Sequence, residues 1–70
     1  MSTLKFRDLM GRQILITEGF SVMALDNEAR PYVGEGKVAF YRVTFVHSKL
    51  TFIASAADWK ASGISEQYND

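Results

Sequence analysis

His47, Ser48 and Asp58 are the residue types of a Ser-His-Asp hydrolase, in which a histidine deprotonates the serine hydroxyl and a carboxylate orients the histidine. The serine of such a triad stands in a sheltered pocket, whereas Ser48 directly follows His47 in a predicted turn. The sequence also lacks a G-x-S-x-G elbow, and a chain of 70 residues encloses little volume for a substrate cleft. We therefore predict no catalytic residues and no enzymatic activity.

Metal and phosphate chemistry have equally little support in the sequence. The chain has no cysteine and one histidine, which excludes a thiolate metal site and leaves a zinc site only if subunits share ligands. The segment Gly34-Glu35-Gly36-Lys37 is too short and too acidic for a phosphate-binding loop, which needs G-x-x-x-x-G-K-[ST] between a strand and a helix. We expect no metal and no cofactor.

A set of aromatic and basic residues allows a nucleic-acid hypothesis. Bases can stack on exposed aromatic rings while nearby cations hold the phosphate backbone, and the residues available for this are Lys37, Phe40, Arg42, Lys49 and Phe52. Thr44-Phe45-Val46-His47 is similar to the second nucleic-acid motif of cold-shock barrels, although the Gly-Phe-Gly-Phe type of motif that should precede it is missing. Eight basic residues balance eight acidic ones and alternate with them along the chain. A single-stranded nucleic-acid-binding small barrel is therefore the alternative hypothesis.

Protein binding is the leading hypothesis. The segment from Lys37 to His47 has apolar side chains on both faces of a predicted strand, more than two short helices could cover. Residues 27–36 form the longest predicted loop, and long loops of small domains often carry binding residues. We expect a small non-enzymatic module, an inhibitor or regulator, that contacts a partner protein through the following residues: Arg30, Tyr32, Glu35, Tyr41, Phe45 and, if it is exposed and not part of the core, Trp59. The two apolar faces of the strand separately predict self-association.

The predicted elements begin and end with short helices. An N-terminal helix of one to two turns is favoured by Thr3 as an N-cap, the i, i+3, i+4 spacing of Phe6, Leu9 and Met10, and Gly11 as a terminator, although so short a segment fits an irregular arm equally well. Strands are predicted over 13–18 and 20–26, joined by a tight turn at Glu18-Gly19, and then over 37–47 and 50–54.

The C-terminal helix has the clearest local signals. Ser55 and Asp58 have the spacing of a capping box, and Gly63 stands where a helix over 56–62 would end. If the helix ends in a Schellman motif, Ile64 should contact Trp59.

These elements predict an α+β, mainly β domain over residues 1–64, followed by a polar, disordered tail over 65–70. The expected fold is a curled four- to five-stranded antiparallel meander with a short helix at each end. The pattern Leu9-x-Gly11-x-x-Ile14-x-Ile16 resembles the layout of small SH3-like or Sm-like barrels, which implies a small-barrel-like sheet. With no apolar stretch near the roughly 18 residues that span a bilayer, we expect no membrane partner and a cytoplasmic homo-oligomer, of a kind common among accessory proteins of bacteria and phages.

Overall fold

A computed structural model describes residues 4–64 and places them in two antiparallel sheets and one helix. The first sheet pairs β1 (Lys5–Arg7) with β2 (Gln13–Leu15). The second sheet has the order β3-β4-β5, formed by β3 (Phe20–Leu25), β4 (Phe40–Phe45) and β5 (Thr51–Ser55), and the helix α1 (Ala56–Ser62) follows. The chain is mainly β, as predicted. The predicted cap at Thr3 and the predicted tail over 65–70 lie outside the described residues.

The prediction of an N-terminal helix is wrong, because residues 5–7 form β1 and residues 8–12 form a hairpin loop. The Asp8 carboxylate Oδ1 accepts hydrogen bonds from the backbone N–H groups of Met10 (3.0 Å) and Arg12 (2.9 Å). Gly11 closes the loop with φ of 82°, a left-handed conformation that glycine adopts without strain. Phe6 is buried while Leu9 and Met10 are exposed, so the i, i+3, i+4 spacing does not mark one buried face.

The same loop recurs where β3 ends. The Asp26 Oδ1 atom accepts from the N–H groups of Glu28 (2.9 Å) and Arg30 (3.0 Å), and Ala29 takes the left-handed position with φ of 63°. In both loops the aspartate N–H donates to the carbonyl oxygen of the arginine four residues later. This is the pattern of a three-residue hairpin loop that ends in a left-handed bulge residue. The second loop returns the chain along the edge of β3, where Pro31 pairs with Leu25.

The predicted hairpin between residues 13–18 and 20–26 is also wrong. β2 pairs with β1, and β3 pairs with β4, so residues 16–19 cross from one sheet to the other. Gly19 does not have the positive φ that a tight two-residue turn would use. Glu18 instead accepts hydrogen bonds from two backbone N–H groups in the turn after β4, His47 (2.6 Å) and Ser48 (2.9 Å).

Strand β4 lies in the centre of the second sheet and is shorter than the predicted strand over 37–47. Its register with β3 and β5 defines two faces, because side chains alternate along a strand and directly paired residues share a face. The core face consists of Phe20, Val22, Ala24, Tyr41, Val43, Phe45, Phe52 and Ala54. The sheet has three strands in a meander, and the two sheets do not join into a closed barrel.

Trp59 fills the space between the two sheets. Its ring lies edge-on to Phe6 of β1 at 5.3 Å and to Phe20 of β3 at 6.2 Å, both between ring centroids. Val43, Ala54 and Ile64 are fully buried in the same cluster, and three side chains in or next to the first sheet, Leu4, Ile14 and Ile16, pack against it. The first sheet and α1 therefore both pack on the core, and β1, which the sequence analysis assigned to a helix, contributes Phe6 to it.

The helix α1 confirms the prediction for residues 56–62. The Ser55 hydroxyl accepts a hydrogen bond from the N–H of Asp58 at 3.1 Å. Gly63 has φ of 72°, and its N–H donates to the carbonyl of Lys60 at 3.2 Å. At the same end, the Ser62 hydroxyl donates to the carbonyl of Trp59 and accepts from the N–H of Ile64. Ile64 and Trp59 belong to one buried cluster, as a Schellman-type ending predicts.

Candidate functional site

Two of the six residues proposed for partner binding belong to the core. Phe45 is 5% exposed and Trp59 is 3% exposed, so neither offers a surface to a partner. Tyr41 lies on the core face, with its ring 6.1 Å from that of Trp59, and is only partly exposed. The assignment of Tyr41 and Phe45 to an outer face was therefore wrong: the face they share is the one that the β1-β2 sheet and α1 cover.

The other three residues lie in the loop between β3 and β4. Arg30 forms ion pairs with Glu28 and with Asp26, which hold it within its own hairpin loop. Tyr32 is partly buried, and its hydroxyl donates to the carbonyl oxygen of Gly36 at 2.9 Å. Glu35 is exposed and lies in the sequence between Tyr32 and Gly36. The loop is thus organised by specific bonds at both of its ends.

Val33 is the residue of this loop that the sequence analysis missed. It is 80% exposed and lies inside the segment that the bond between Tyr32 and Gly36 closes. Gly34 and Gly36 both have positive φ, at 94° and 77°, which allows the chain to turn sharply on either side of Glu35. An apolar side chain in an otherwise polar glycine-rich loop was the available signal. The loop holds this valine out toward solvent.

The side of the second sheet that faces away from Trp59 is called the outer face here. Its members are Ser21, Met23, Leu25, Phe40, Arg42, Thr44, Thr51, Ile53 and Ser55. Leu25 is 1% exposed between its pairing partners Pro31 and Phe40, so this end of the face is closed by the chain itself. Met23, by contrast, is 41% exposed.

The middle row of the outer face consists of Met23, Arg42 and Ile53, which are directly paired across the three strands. The Arg42 Nη2 atom lies 3.0 Å from the sulfur of Met23. The row ends at β5, the edge strand of this sheet. There the carbonyl of Ile53 accepts a hydrogen bond from the N–H of Leu9 at 2.9 Å. This places the exposed Leu9 beside Ile53 and joins the first hairpin loop to the second sheet.

The nucleic-acid candidates do not share a face. Phe40 and Arg42 lie on the outer face, whereas Phe52 lies on the core face with its ring 5.7 Å from that of Phe45. The guanidinium of Arg12 lies 5.7 Å from the centre of the Phe52 ring, so that ring already has a cationic neighbour. The two lysines, Lys37 and Lys49, are exposed outside the strands. The five residues do not form the single stacking platform that the hypothesis requires.

The residues considered for a hydrolase triad stand at opposite ends of β5. His47 and Ser48 belong to the turn before this strand, and Asp58 follows it in the first turn of α1. A five-residue strand is about 16 Å long, so Asp58 cannot orient His47. The backbone N–H groups of His47 and Ser48 instead bind Glu18. The hydrogen bond from the Ser48 N–H lowers the pKa of Glu18 below its ordinary value, and the one from His47 adds to this effect. Burial of the carboxylate opposes it only in part.

A cleft of about 240 Å³ lies between β1 and α1, lined by Lys5, Phe6, Arg7, Gln13, Asp58, Ala61 and Ser62. Its size is below the ~300–1,000 Å³ of most small-molecule sites. The hydroxyl of Ser62 is engaged in the helix ending, which leaves the cleft without an activated nucleophile. We therefore take the outer face and the loop over residues 27–36 as the candidate site.

Within residues 4–64, no group of three or more potential ligands could hold a metal ion. The single helix of that range is far too short to cross a bilayer. Comparison with known proteins gave no matching family model, no matching curated protein and no matching solved structure.

Proposed function

We propose that this protein is a non-enzymatic protein-binding module, an inhibitor or regulator, that contacts its partner through the outer face and the loop over residues 27–36. The observation that carries the proposal is that two exposed apolar side chains, Met23 and Val33, stand on neighbouring segments, because the N–H of Tyr32 donates to the carbonyl of Ala24 at 3.0 Å and so holds the loop beside β3. Val33 is held out by a hydrogen-bonded loop, and Met23 stands on a paired strand. Apolar groups presented on a rigid scaffold are typical of contact residues, since little entropy is lost when they bind.

The distribution of polar groups also favours a partner surface over a reaction site. The carboxylates of Asp8, Glu18 and Asp26 each accept hydrogen bonds from backbone N–H groups of nearby turns, which is a structural use. The cleft beside α1 is small and open, and no histidine lines it. Protein binding needs neither an activated nucleophile nor a general base in a cleft. The outer face and the loop over residues 27–36 can form a protein-protein interface by themselves.

Site-specific crosslinking would test the proposal. Met23, Val33 or Leu15 is replaced, one at a time, by photoreactive benzoylphenylalanine, and the full chain is irradiated in the cells that produce it. We expect Met23 and Val33 to crosslink to one and the same protein. Leu15 is exposed on the outward side of β2 and serves as the matched control, with no crosslink to that protein.

The captured protein is then purified and its binding measured with defined variants. Val33→Asp and Met23→Lys should each weaken binding at least about fivefold, as expected for interface centres, while Leu15→Lys should not. The proposal fails if the crosslinks come equally from Leu15, or if no protein is crosslinked. It also fails if the chain instead binds a single-stranded oligonucleotide with an affinity that falls steeply as salt is added.

A further inference from the structure

Arg42 differs from every other cation of the chain in its burial. All eight lysine and arginine residues lie within residues 4–64, and Arg42 alone among them is partly buried while the other seven are exposed. Two exposed arginines, Arg12 and Arg30, form ion pairs with carboxylates. No carboxylate of the described residues forms an ion pair with Arg42. The least exposed cation of the chain is thus one that has no ion pair within the described residues.

The guanidinium of Arg42 has one side-chain partner among the described residues. That partner is the sulfur of Met23, which is a weak acceptor. Ile53 stands on the other side of Arg42 in the same cross-strand row. The guanidinium therefore has donor groups to spare, with an apolar side chain on either side and on a face that is open to solvent.

We propose that Arg42 is the specificity-determining anchor of the outer face, and that the partner presents an aspartate or glutamate flanked by apolar side chains. This inference rests on the proposed function. A carboxylate can accept two parallel hydrogen bonds from a guanidinium, and the flanking apolar groups would cover Met23 and Ile53. The pair would be shielded from water at the centre of the contact, where hot-spot arginines are found.

The charge of the outer face favours a carboxylate over a phosphate group. Arg42 is the one charged member of the set of residues that defines this face. Sites for phosphorylated peptides use clusters of arginines, since the phosphate carries nearly two negative charges. A single arginine with Met23 and Ile53 as its directly paired neighbours matches one negative charge that has apolar groups beside it.

Selection from a random peptide library on the immobilised full-length protein provides the test. We expect the peptides enriched on the wild-type chain to contain aspartate or glutamate next to apolar residues. On Arg42→Gln the acidic residue should no longer be enriched. Arg7→Gln is the matched control, because Arg7 is an exposed cation on β1 that forms no ion pair within residues 4–64, and it should enrich the same peptides as the wild type.

A double-mutant cycle then measures the contact itself. In a selected peptide, exchange of the acidic residue for its amide should weaken binding to the wild type about tenfold, and should have no further effect on Arg42→Gln. Arg42→Glu should bind best to a peptide whose acidic residue is replaced by arginine. Circular dichroism of each variant confirms that the sheet is retained.

The possible failures separate this inference from the function on which it rests. If enriched peptides depend on Val33 but tolerate Arg42→Gln, the protein-binding function stands and the anchor role of Arg42 is wrong. If phosphorylated peptides bind more tightly than acidic ones, the proposed partner chemistry is wrong. If no peptide is enriched and no protein is crosslinked, both proposals are overturned.

Discussion

Asp8 and Asp26 hold two hairpin loops with the same hydrogen bonds: each carboxylate accepts from the N–H groups two and four residues later. The loops differ in their left-handed residue, which is Gly11 in the first and Ala29 in the second. They also differ in burial, since Asp8 is 4% exposed whereas Asp26 is partly exposed. The same hydrogen-bonded loop conformation therefore occurs twice, once with a buried aspartate and once with a partly exposed one.

The left-handed position of the second loop should be improved by glycine. Ala29→Gly removes a conformational strain of about 1–2 kcal/mol but increases the entropy of the unfolded chain, for a net gain of up to about 1 kcal/mol. Gly11→Ala should lower the free energy of unfolding by about 1 kcal/mol for the opposite reason. No atom lies within 4 Å of a Cβ built at Gly11, so the effect is conformational and not steric. Urea unfolding of the two variants should shift in opposite directions, and a shared sign would contradict this explanation.

Acid should destabilise the protein through the carboxylates that hold its turns. Burial opposes ionisation of Asp8, but the hydrogen bonds from Arg12 and Met10 outweigh it and lower the pKa of Asp8. The hydrogen bond from the Arg30 N–H lowers the pKa of Asp26 in the same way, against a smaller effect of burial. Because these pKa values are lower in the folded chain, the unfolded chain binds more protons, and stability falls as the pH falls.

The stabilisation should be complete above about pH 5, where carboxylates of ordinary pKa near 4 are ionised in the unfolded chain. It should be lost progressively below about pH 4, as the pH passes through the lowered pKa values of the folded chain. Thermal unfolding followed between pH 2 and 7 measures this. Asp8→Asn should flatten the acid limb more than Asp26→Asn, because the Asp8 carboxylate lies 2.8 Å from the Arg12 guanidinium, whereas 4.0 Å separates Asp26 from Arg30. Equal effects would show that the closer ion pair does not matter here.

Loss of the Trp59 ring should unfold most of the molecules. Trp59→Ala removes an indole that contacts both sheets, and such core truncations cost about 3–5 kcal/mol. A domain of this size has a total stability of about the same magnitude. Leu15→Ala, at an exposed apolar position, is the control and should change stability little. The backbone amide spectrum by NMR distinguishes the outcomes, and a dispersed spectrum for Trp59→Ala would refute the role of this ring.

Self-association stays a prediction, and we place it on the outer face because every residue of the core face except Val22 is buried or partly buried. Met23 is exposed on the outer face and Leu9 is exposed beside it, so we expect dimers or larger species at tens of micromolar and above in sedimentation experiments. Met23→Lys should shift the protein toward monomer without unfolding it. Tyr41→Glu should instead reduce folding, because Tyr41 lies against Trp59. A folded, dissociated Tyr41→Glu variant would place the interface on the core face and contradict this assignment.

The C-terminal helix could be predicted because its signals are local. Ser55 caps it and Gly63 ends it, and both act through hydrogen bonds within a few residues. The central sheet was also recognisable from apolar and β-branched residues, which predicted β4 and β5 although not their ends. Such elements depend little on what packs against them.

The N-terminal hairpin could not be separated from a helix by spacing alone. Phe6, Leu9 and Met10 fit one helical face. The segment forms a strand and a hairpin loop because backbone N–H groups bond to Asp8 and because Phe6 packs against Trp59. A usable signal was the recurrence of Asp-x-x-small-Arg at residues 8–12 and 26–30. The pairing of β2 with β1, and not with β3, is a long-range choice that no short pattern encodes.

The candidate site could be predicted only in part, because burial and ion pairing also depend on long-range contacts. Arg42 was recognised, but as a nucleic-acid contact, since the absence of an ion pair to it within residues 4–64 is visible only in three dimensions. Phe45 was assigned to a surface because β1, whose sheet packs on the core, had been taken for a helix, and Trp59 was left open between surface and core.

The edge-to-face contact between Phe6 and Trp59 joins the first strand to the last helix. During synthesis, the amino-terminal hairpin therefore leaves the ribosome long before the ring that packs against it. The core can close only after Ile64 has emerged from the exit tunnel, so the hairpin must wait for the rest of the domain before it can pack. Until then the nascent chain exposes apolar strands, which makes it a natural client for chaperones that bind such segments.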